Sequence, residues 1–119
     1  MAKVVHFEIL GSDGEKTRQF YSELFGWDYQ VMPEMDYGMV EAPEGGIGGG
    51  VGSVMEGAPP RSIFYVEVAD VQASLEKAAS LGGNVVVPKT AIPDVVTFGI
   101  FTDTDGNAVG VIEAGSTGN

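Results

Sequence analysis

The chain contains no cysteine, few basic residues and no long apolar run. Without cysteine it can form neither disulfides nor thiolate metal sites, and it has no cysteine nucleophile. Its Lys and Arg residues number 6 and its Asp and Glu residues 17, which gives a net charge of −11. Such an acidic chain is expected to avoid nucleic acid, whose phosphates attract basic surfaces, and anionic membranes as well. No stretch approaches the roughly 20 apolar residues that a membrane-spanning helix needs.

The remaining composition is that of an ordinary folded domain. The chain has 119 residues, of which 44% are hydrophobic and 19% charged, and this length predicts a single domain. The absence of cysteine is typical of cytosolic proteins, so a cytoplasmic location is expected. Because the opening Met-Ala-Lys-Val-Val-His leads almost directly into a strand-like pattern, no signal peptide is expected.

Polar and apolar residues alternate near the start of the chain. Val5, Phe7 and Ile9 would lie on one face of a strand. His6 and Glu8 would then lie on the opposite face. In order, the first half predicts a strand over 4–10, a helix from Ser12 or Asp13 to Gly26, and strands over 27–32 and 37–40.

The same order of elements begins again near Ser62. It predicts a strand, a helix capped by Asp70, a strand over 85–87 that Pro88 stops, and strands over 96–101 and 109–113. The repeat predicts an α+β fold of two tandem βαβββ modules, about 1–57 and about 62–114, within one domain of residues 1–119. The tail, 115–119, is expected to be disordered.

Residues 45–52 read Gly-Gly-Ile-Gly-Gly-Gly-Val-Gly, and they take the place of the last strand of the first copy. Their spacing does not match the G-x-G-x-x-G fingerprint and no G-K-[ST] follows, which argues against a phosphate-binding loop. Glycine in a strand permits sharp curling and the close approach of a ligand or another backbone. We therefore expect a strand here, with room beside it for a flat hydrophobic molecule.

Short motifs in both halves resemble the vicinal oxygen chelate superfamily, which includes glyoxalase I, bleomycin-resistance proteins and extradiol dioxygenases. The resembling segments span most of the chain and keep the family's order and spacing. They are Val-Val-His-Phe-Glu-Ile at 4–9, Phe-Tyr at 20–21, Leu-Phe-Gly-Trp at 24–27, Val-Glu-Val-Ala-Asp-Val at 66–71, Leu-Gly-Gly at 81–83 and Asp-Thr-Asp-Gly-Asn at 103–107. The resemblance implies that the two modules form a curled mixed sheet with an open cleft.

In metal enzymes of this superfamily, four His or Glu side chains on the cleft face hold one divalent ion. His6 matches the first ligand position, whereas Ile63 and Gly110 stand at the third and fourth. The second position falls in or near the glycine run, which offers no donor side chain. Because zinc and iron sites need three or four protein ligands, we expect neither such a metal nor another cofactor.

A shifted set of ligands is the alternative. His6 and Glu8 share one strand face, as do Tyr65 and Glu67, and these four side chains could converge in the cleft. A site built on His6, Glu8 and Glu67 would hold one divalent metal and would suit a metal-dependent lyase, isomerase or dioxygenase. Otherwise the two carboxylates simply line an open cleft.

The sequence thus predicts a glyoxalase-like protein with a degenerate metal site that binds a small apolar or aromatic molecule. His6 could be a half-buried structural histidine or a general base, since its ordinary pKa lies near neutrality, and the catalytic residues stay open. A homodimer that pairs through its sheets is expected, with the cleft either within one chain or between two. The residues expected to line the cleft are His6, Glu8, Trp27, Tyr37, Ile63, Tyr65 and Glu67.

Overall fold

The computed structural model describes residues 2–113. In chain order the elements are β1 (Lys3–Gly11), α1 (Gly14–Phe25), β2 (Gln30–Met32), a short 3-10 turn (Pro33–Met35), β3 (Tyr37–Val40), β4 (Gly48–Ser53), β5 (Arg61–Val68), α2 (Val71–Ser80), β6 (Asn84–Ile92), β7 (Val96–Thr102) and β8 (Ala108–Glu113). Each half runs strand, helix and three strands, so the predicted α+β fold of two βαβββ modules is confirmed. Within residues 2–113, neither α1 nor α2 is long and apolar enough to cross a membrane.

Residues 6–63 form one compact unit. Its strands lie in the order β2-β3-β4-β1, with β1 parallel to β4 and the other neighbours antiparallel. The ring centroids of Phe7 on β1 and Trp27 are 5.2 Å apart, and Trp27 stacks at 5.7 Å on Tyr21 of α1. Because successive residues of a strand point to opposite faces, His6 and Glu8 lie on the face away from α1.

Residues 64–113, together with 2–5, form the other compact unit. Its strands lie in the order β5-β8-β7-β6, with β5 parallel to β8 and the other neighbours antiparallel. Val71 and Leu75 of α2 are buried against Val111 of β8, and Val68 and Phe101 pack around them. Burial of this apolar cluster fixes α2 on its sheet.

Local capping explains where the helices begin and where α1 ends. The carboxylate of Asp13 accepts the backbone N–H of Lys16 at 3.3 Å, and that of Asp70 accepts the N–H of Ala73 at 3.0 Å. These bonds satisfy N–H groups that have no partner within the helix. Gly26 ends α1 in the left-handed conformation, with φ at 74°. The predicted caps and the predicted end of α1 are confirmed.

Two strand boundaries differ from the prediction. The strand predicted over 27–32 begins at Gln30, because Trp27 packs with the rings of α1 before the strand starts. The predicted stop at Pro88 is wrong, since β6 continues to Ile92. Pro88 lies at register shifts against β7, where a residue without a backbone N–H is tolerated. The predicted disorder of the tail at 115–119 falls outside the described residues.

Candidate functional site

Three polar side chains meet on the face of the first unit that lies away from α1. His6 and Glu8 come from β1, and Tyr37 is the first residue of β3. The Tyr37 hydroxyl lies 3.0 Å from Nε2 of His6 and 2.9 Å from Oε2 of Glu8. It therefore bridges the imidazole and the carboxylate, and we call these residues the His6–Tyr37–Glu8 group.

The hydrogen bonds of this group assign its protons. Tyr37 donates its hydroxyl hydrogen to Oε2 of Glu8. Nε2 of His6 then carries a hydrogen and donates it to the Tyr37 oxygen. Burial lowers the pKa of His6 below its ordinary value of 6.5, and the negative charge of Glu8 opposes part of that shift. The group thus favours a neutral imidazole.

Two adjacent glycines of β4 accommodate aromatic rings on opposite faces of the sheet. A Cβ atom added to Gly50 would lie 1.9 Å from the Tyr37 ring, and one added to Gly49 would lie 2.4 Å from the Phe7 ring. Residues 48–52 of the glycine run therefore form the expected strand, whereas 45–47 precede it. The expected room for a ligand beside Gly49 and Gly50 is filled by rings of the chain itself.

A buried arginine fixes the start of β3. Nη1 of Arg18 on α1 donates to the backbone carbonyl of Val51 at 3.1 Å, and Nη2 donates to the Asp36 carboxylate at 3.0 Å. The Ser53 hydroxyl donates to the other oxygen of Asp36. The hydrogen bond from Ser53 is the largest cause that lowers the pKa of the Asp36 carboxyl below its ordinary value, and the bond from Arg18 is the next largest. Because Asp36 directly precedes Tyr37, this network helps to position the Tyr37 ring.

Sequence reasoning missed Arg18, although a signal was present. Arg18 and Gly14 are the buried residues of α1, four positions apart on one helix side. Tyr21 follows on the same side and stacks on Trp27. An arginine within the face that packs on the sheet predicts a buried, paired guanidinium, since charged side chains are rarely buried alone.

The predicted residues of β5 differ in their burial. Ile63 and Tyr65 are buried, and Glu67 is half-buried. The Tyr65 ring meets Phe98 edge to face, with centroids 6.3 Å apart. A Cβ atom added to Gly110 would lie 2.2 Å from the Tyr65 ring. At the position that resembles the fourth ligand of the metal enzymes, an aromatic ring therefore occupies the space of a side chain.

Of the residues predicted to line a cleft, the structure brings His6, Glu8 and Tyr37 into direct contact. Trp27 instead packs with Phe7 and the rings of α1, on the opposite face of the sheet from His6. The three predicted residues of β5 follow one another along the same strand face, and their place in a shared site stays a prediction. They are Ile63, Tyr65 and Glu67.

No three His, Asp or Glu side chains come together as a metal site anywhere in residues 2–113. His6 and Glu8 are joined through a phenol hydroxyl, which is a poor ligand while it keeps its proton. The shifted set of His6, Glu8 and Glu67 stays a prediction.

Comparison with known sequences finds bleomycin-resistance-like and glyoxylase-like relatives. Residues 3–43 match the family model described as bleomycin resistance protein-like N-terminal. A glyoxylase-like domain-containing protein from Didymella fabae is 34% identical over 109 residues, which cover 84% of this chain and 84% of that protein. A glyoxylase-named protein of Mycobacterium tuberculosis (strain CDC 1551 / Oshkosh), CFP32, is 33% identical over 110 residues, 87% of this chain. The match covers 42% of CFP32, so this chain spans less than half the length of that relative.

Solved structures with little sequence identity share the fold. Methylmalonyl-CoA epimerase from Mycobacterium tuberculosis superposes with a TM-score of 0.64 at 13% identity, over 92% of this chain and 86% of the epimerase. A glyoxalase/bleomycin resistance protein/dioxygenase superfamily member from Vibrio splendidus 12B01 superposes with a TM-score of 0.63 at 13% identity, over 96% of this chain and 100% of that chain. At such identities the likeness concerns the fold alone.

Proposed function

Because the chain belongs to the glyoxalase/bleomycin resistance/dioxygenase superfamily, we propose that it binds a small apolar or aromatic molecule and does so without a metal. The observation that carries this proposal is the His6–Tyr37–Glu8 group, in which a phenol hydroxyl joins the imidazole to the carboxylate. A metal bound through Nε2 of His6 would have to replace the hydrogen that this nitrogen donates to Tyr37.

The register of the two modules supports the same proposal. Glu8 lies opposite Gly50 in the first module, as Tyr65 lies opposite Gly110 in the second. His6 lies two residues before Glu8 on β1, and Ile63 lies two residues before Tyr65 on β5, so His6 and Ile63 occupy matching positions. The second module thus carries isoleucine and tyrosine where the first carries histidine and glutamate. An isoleucine has no donor atom for a metal.

The chemistry of the group suits a flat molecule that bears a polar substituent. The Tyr37 ring and the Met39 thioether lie on one face of β3, and both adapt well to apolar or aromatic ligands. The imidazole, phenol and carboxylate beside them supply the few polar atoms that orient a ligand in a mostly apolar site.

A thermal-shift screen with aromatic metabolites and antibiotics, run in the presence of a chelator, tests the proposal. A compound that binds the folded state should raise the melting temperature as its concentration rises. The Tyr37→Phe variant should bind it roughly tenfold more weakly, the effect of about 1.4 kcal/mol for a lost hydrogen bond. Tyr29→Phe is the matched control, because its hydroxyl donates to the carbonyl of Arg18 at 2.8 Å instead.

Two outcomes would contradict the proposal. Binding that Tyr37→Phe leaves unchanged, or weakens no more than Tyr29→Phe does, would place the ligand away from the His6–Tyr37–Glu8 group. One metal ion per chain that survives dialysis and is lost in His6→Ala would favour the metal-dependent lyase, isomerase or dioxygenase, with His6, Glu8 and Glu67 as ligands.

A further inference from the structure

The outer side of α1 exposes apolar and charged side chains next to one another. Phe20 and Leu24 are 60% and 59% exposed. With Lys16, Gln19 and Glu23 they line a shallow groove of about 430 Å³. We call these five residues the α1 stripe. Adjacent exposed large apolar side chains, unlike scattered single ones, mark interaction surfaces.

The spacing of the α1 stripe places all of it on one side of the helix. Lys16 is followed by Gln19 and Phe20, three and four residues later, and Phe20 by Glu23 and Leu24 at the same spacing. Residues three and four apart are neighbours on a helix surface, so the five share one side. The buried side of α1 carries Gly14 and Arg18 instead. The first unit therefore leaves the α1 stripe exposed while it covers the opposite side of the helix.

The charges of the α1 stripe are self-complementary. Lys16 and Glu23 lie about 10 Å apart along the helix axis, given a rise of about 1.5 Å per residue. When two copies of α1 lie antiparallel, Lys16 faces the partner's Glu23, and symmetry forms the second pair at the same time. The midpoint between Lys16 and Glu23 falls at Gln19 and Phe20, so the two Phe20 rings would meet near the two-fold axis.

We propose that the α1 stripe is the surface through which two copies of this chain form a symmetric homodimer. A two-fold dimer uses the same patch on both copies, and a self-complementary stripe meets that requirement. The interface assigned in this way is the outer side of a helix, whereas the sequence favoured pairing through the sheets. The assignment does not depend on the proposed ligand.

Net charge favours a second copy at this surface over contact elsewhere. The chain carries a net charge of −11, so most faces of two copies repel one another. The α1 stripe holds one basic and one acidic side chain and therefore no net charge. It also combines two exposed apolar side chains, Phe20 and Leu24, with polar neighbours, as small protein interfaces do.

The size of the surface sets the expected strength of the dimer. α1 has 12 residues, which corresponds to a helix about 18 Å long. A pair of such helices buries an area at the small end of specific interfaces. The dimer is therefore expected to be weak and to depend on protein concentration.

Sedimentation velocity of the full chain between about 1 μM and about 1 mM tests the interface. Lys16→Glu and Glu23→Lys each place like charges opposite one another, and each should weaken dimerisation by about tenfold. The double variant Lys16→Glu/Glu23→Lys restores both pairs in reverse and should regain the parent affinity. Lys77→Glu, exposed on α2, changes the net charge as Lys16→Glu does and should leave the dimer intact.

Glu23→Lys gives the sharpest result, because it makes the chain less acidic and would strengthen any association limited by overall repulsion. A chain that stays monomeric at every concentration overturns the proposal. So does a dimer that both single variants leave unchanged, or one that the double variant fails to restore. Leu24→Gln removes apolar contact without a change of charge and should also weaken the dimer. Circular dichroism checks that these exposed substitutions leave the fold intact.

Discussion

Tyr37 connects several parts of the candidate site. Its hydroxyl bonds to both His6 and Glu8, and its ring rests on Gly50. Asp36, just before it, has a left-handed backbone with φ at 48° and is held by Arg18 of α1. The position of one hydroxyl group therefore depends on β1, β4 and α1 together, and a small change in any of them should disturb the group.

The fit between Gly50 and Tyr37 leads to a direct test. Gly50→Ala would bring a methyl group 1.9 Å from the Tyr37 ring. The ring must move, which should cost roughly 1–3 kcal/mol of stability. It should also change the titration of His6, which NMR can follow without ambiguity because the chain has 1 histidine.

Gly49→Ala is the matched control for that variant. Its methyl group would lie 2.4 Å from the Phe7 ring, on the other face of the same strand. We expect a similar loss of stability with an unchanged His6 titration. If His6 titrates in the same way in both variants, the contact between Gly50 and the Tyr37 ring does not position the His6–Tyr37–Glu8 group.

Only part of this group could be predicted from the sequence. Alternation along one strand was enough to place His6 and Glu8 on the same face. The contact with Tyr37 depends on the register of β3 on β4 and of β4 on β1. Those pairings join residues far apart in the chain, and local sequence does not specify them.

Among the elements, the helix caps were easier to predict than the strand ends. Asp13, Gly26 and Asp70 act through bonds to nearby backbone or through their own backbone conformation, so the local sequence was sufficient. The continuation of β6 through Pro88 depends on shifts in its pairing with β7, which only the folded sheet supplies. The late start of β2, at Gln30 rather than at Trp27, likewise depends on aromatic packing against α1.

The attachment of α1 to its sheet rests in part on Arg18, and substitution should show how much. Arg18→Met keeps much of the aliphatic stem but removes the guanidinium donor from the carbonyl of Val51 and from one carboxylate oxygen of Asp36. The other oxygen of Asp36 keeps its bond from Ser53. Urea unfolding should report a loss of about 2–3 kcal/mol, since a buried acceptor stays unsatisfied. Asp36→Asn should cost less, about 1 kcal/mol, because its side chain is 50% exposed. Equal losses would mean that the bond to Val51 contributes little.

Across the whole chain, the two modules have the same order of helices and strands but different side chains at matching positions. Both modules run strand, helix and three strands. Each also covers a glycine of its last strand with a tyrosine ring, at Gly50 and at Gly110. The joined imidazole and carboxylate belong to the first module, whereas the matching positions of the second are Ile63 and Tyr65. The repeat could be predicted from recurring hydrophobic patterns, but the ring placement required the register of the folded sheets.

His6 also links the candidate site to the acid stability of the whole molecule. Burial lowers the pKa of His6 below its ordinary 6.5, so the unfolded chain takes up a proton at a higher pH than the folded chain does. The contribution of the neutral His6 to the free energy of unfolding is fully present above the pKa that His6 has in the unfolded chain. It is lost as the pH falls through the lower folded pKa.

Urea unfolding between about pH 8 and about pH 5, above the usual range of carboxylates, should therefore separate the parent chain from His6→Gln. Glutamine keeps a side-chain N–H that can donate to Tyr37, and it does not titrate. We expect the stability of the parent to fall relative to the variant as the pH drops below about 6.5. Shared changes from the acidic surface, whose net charge is −11, cancel in the comparison. A parent that gains stability relative to the variant on acidification would mean that the charge of Glu8 outweighs burial. In that case His6 of the folded chain would carry a charged imidazolium rather than a neutral imidazole.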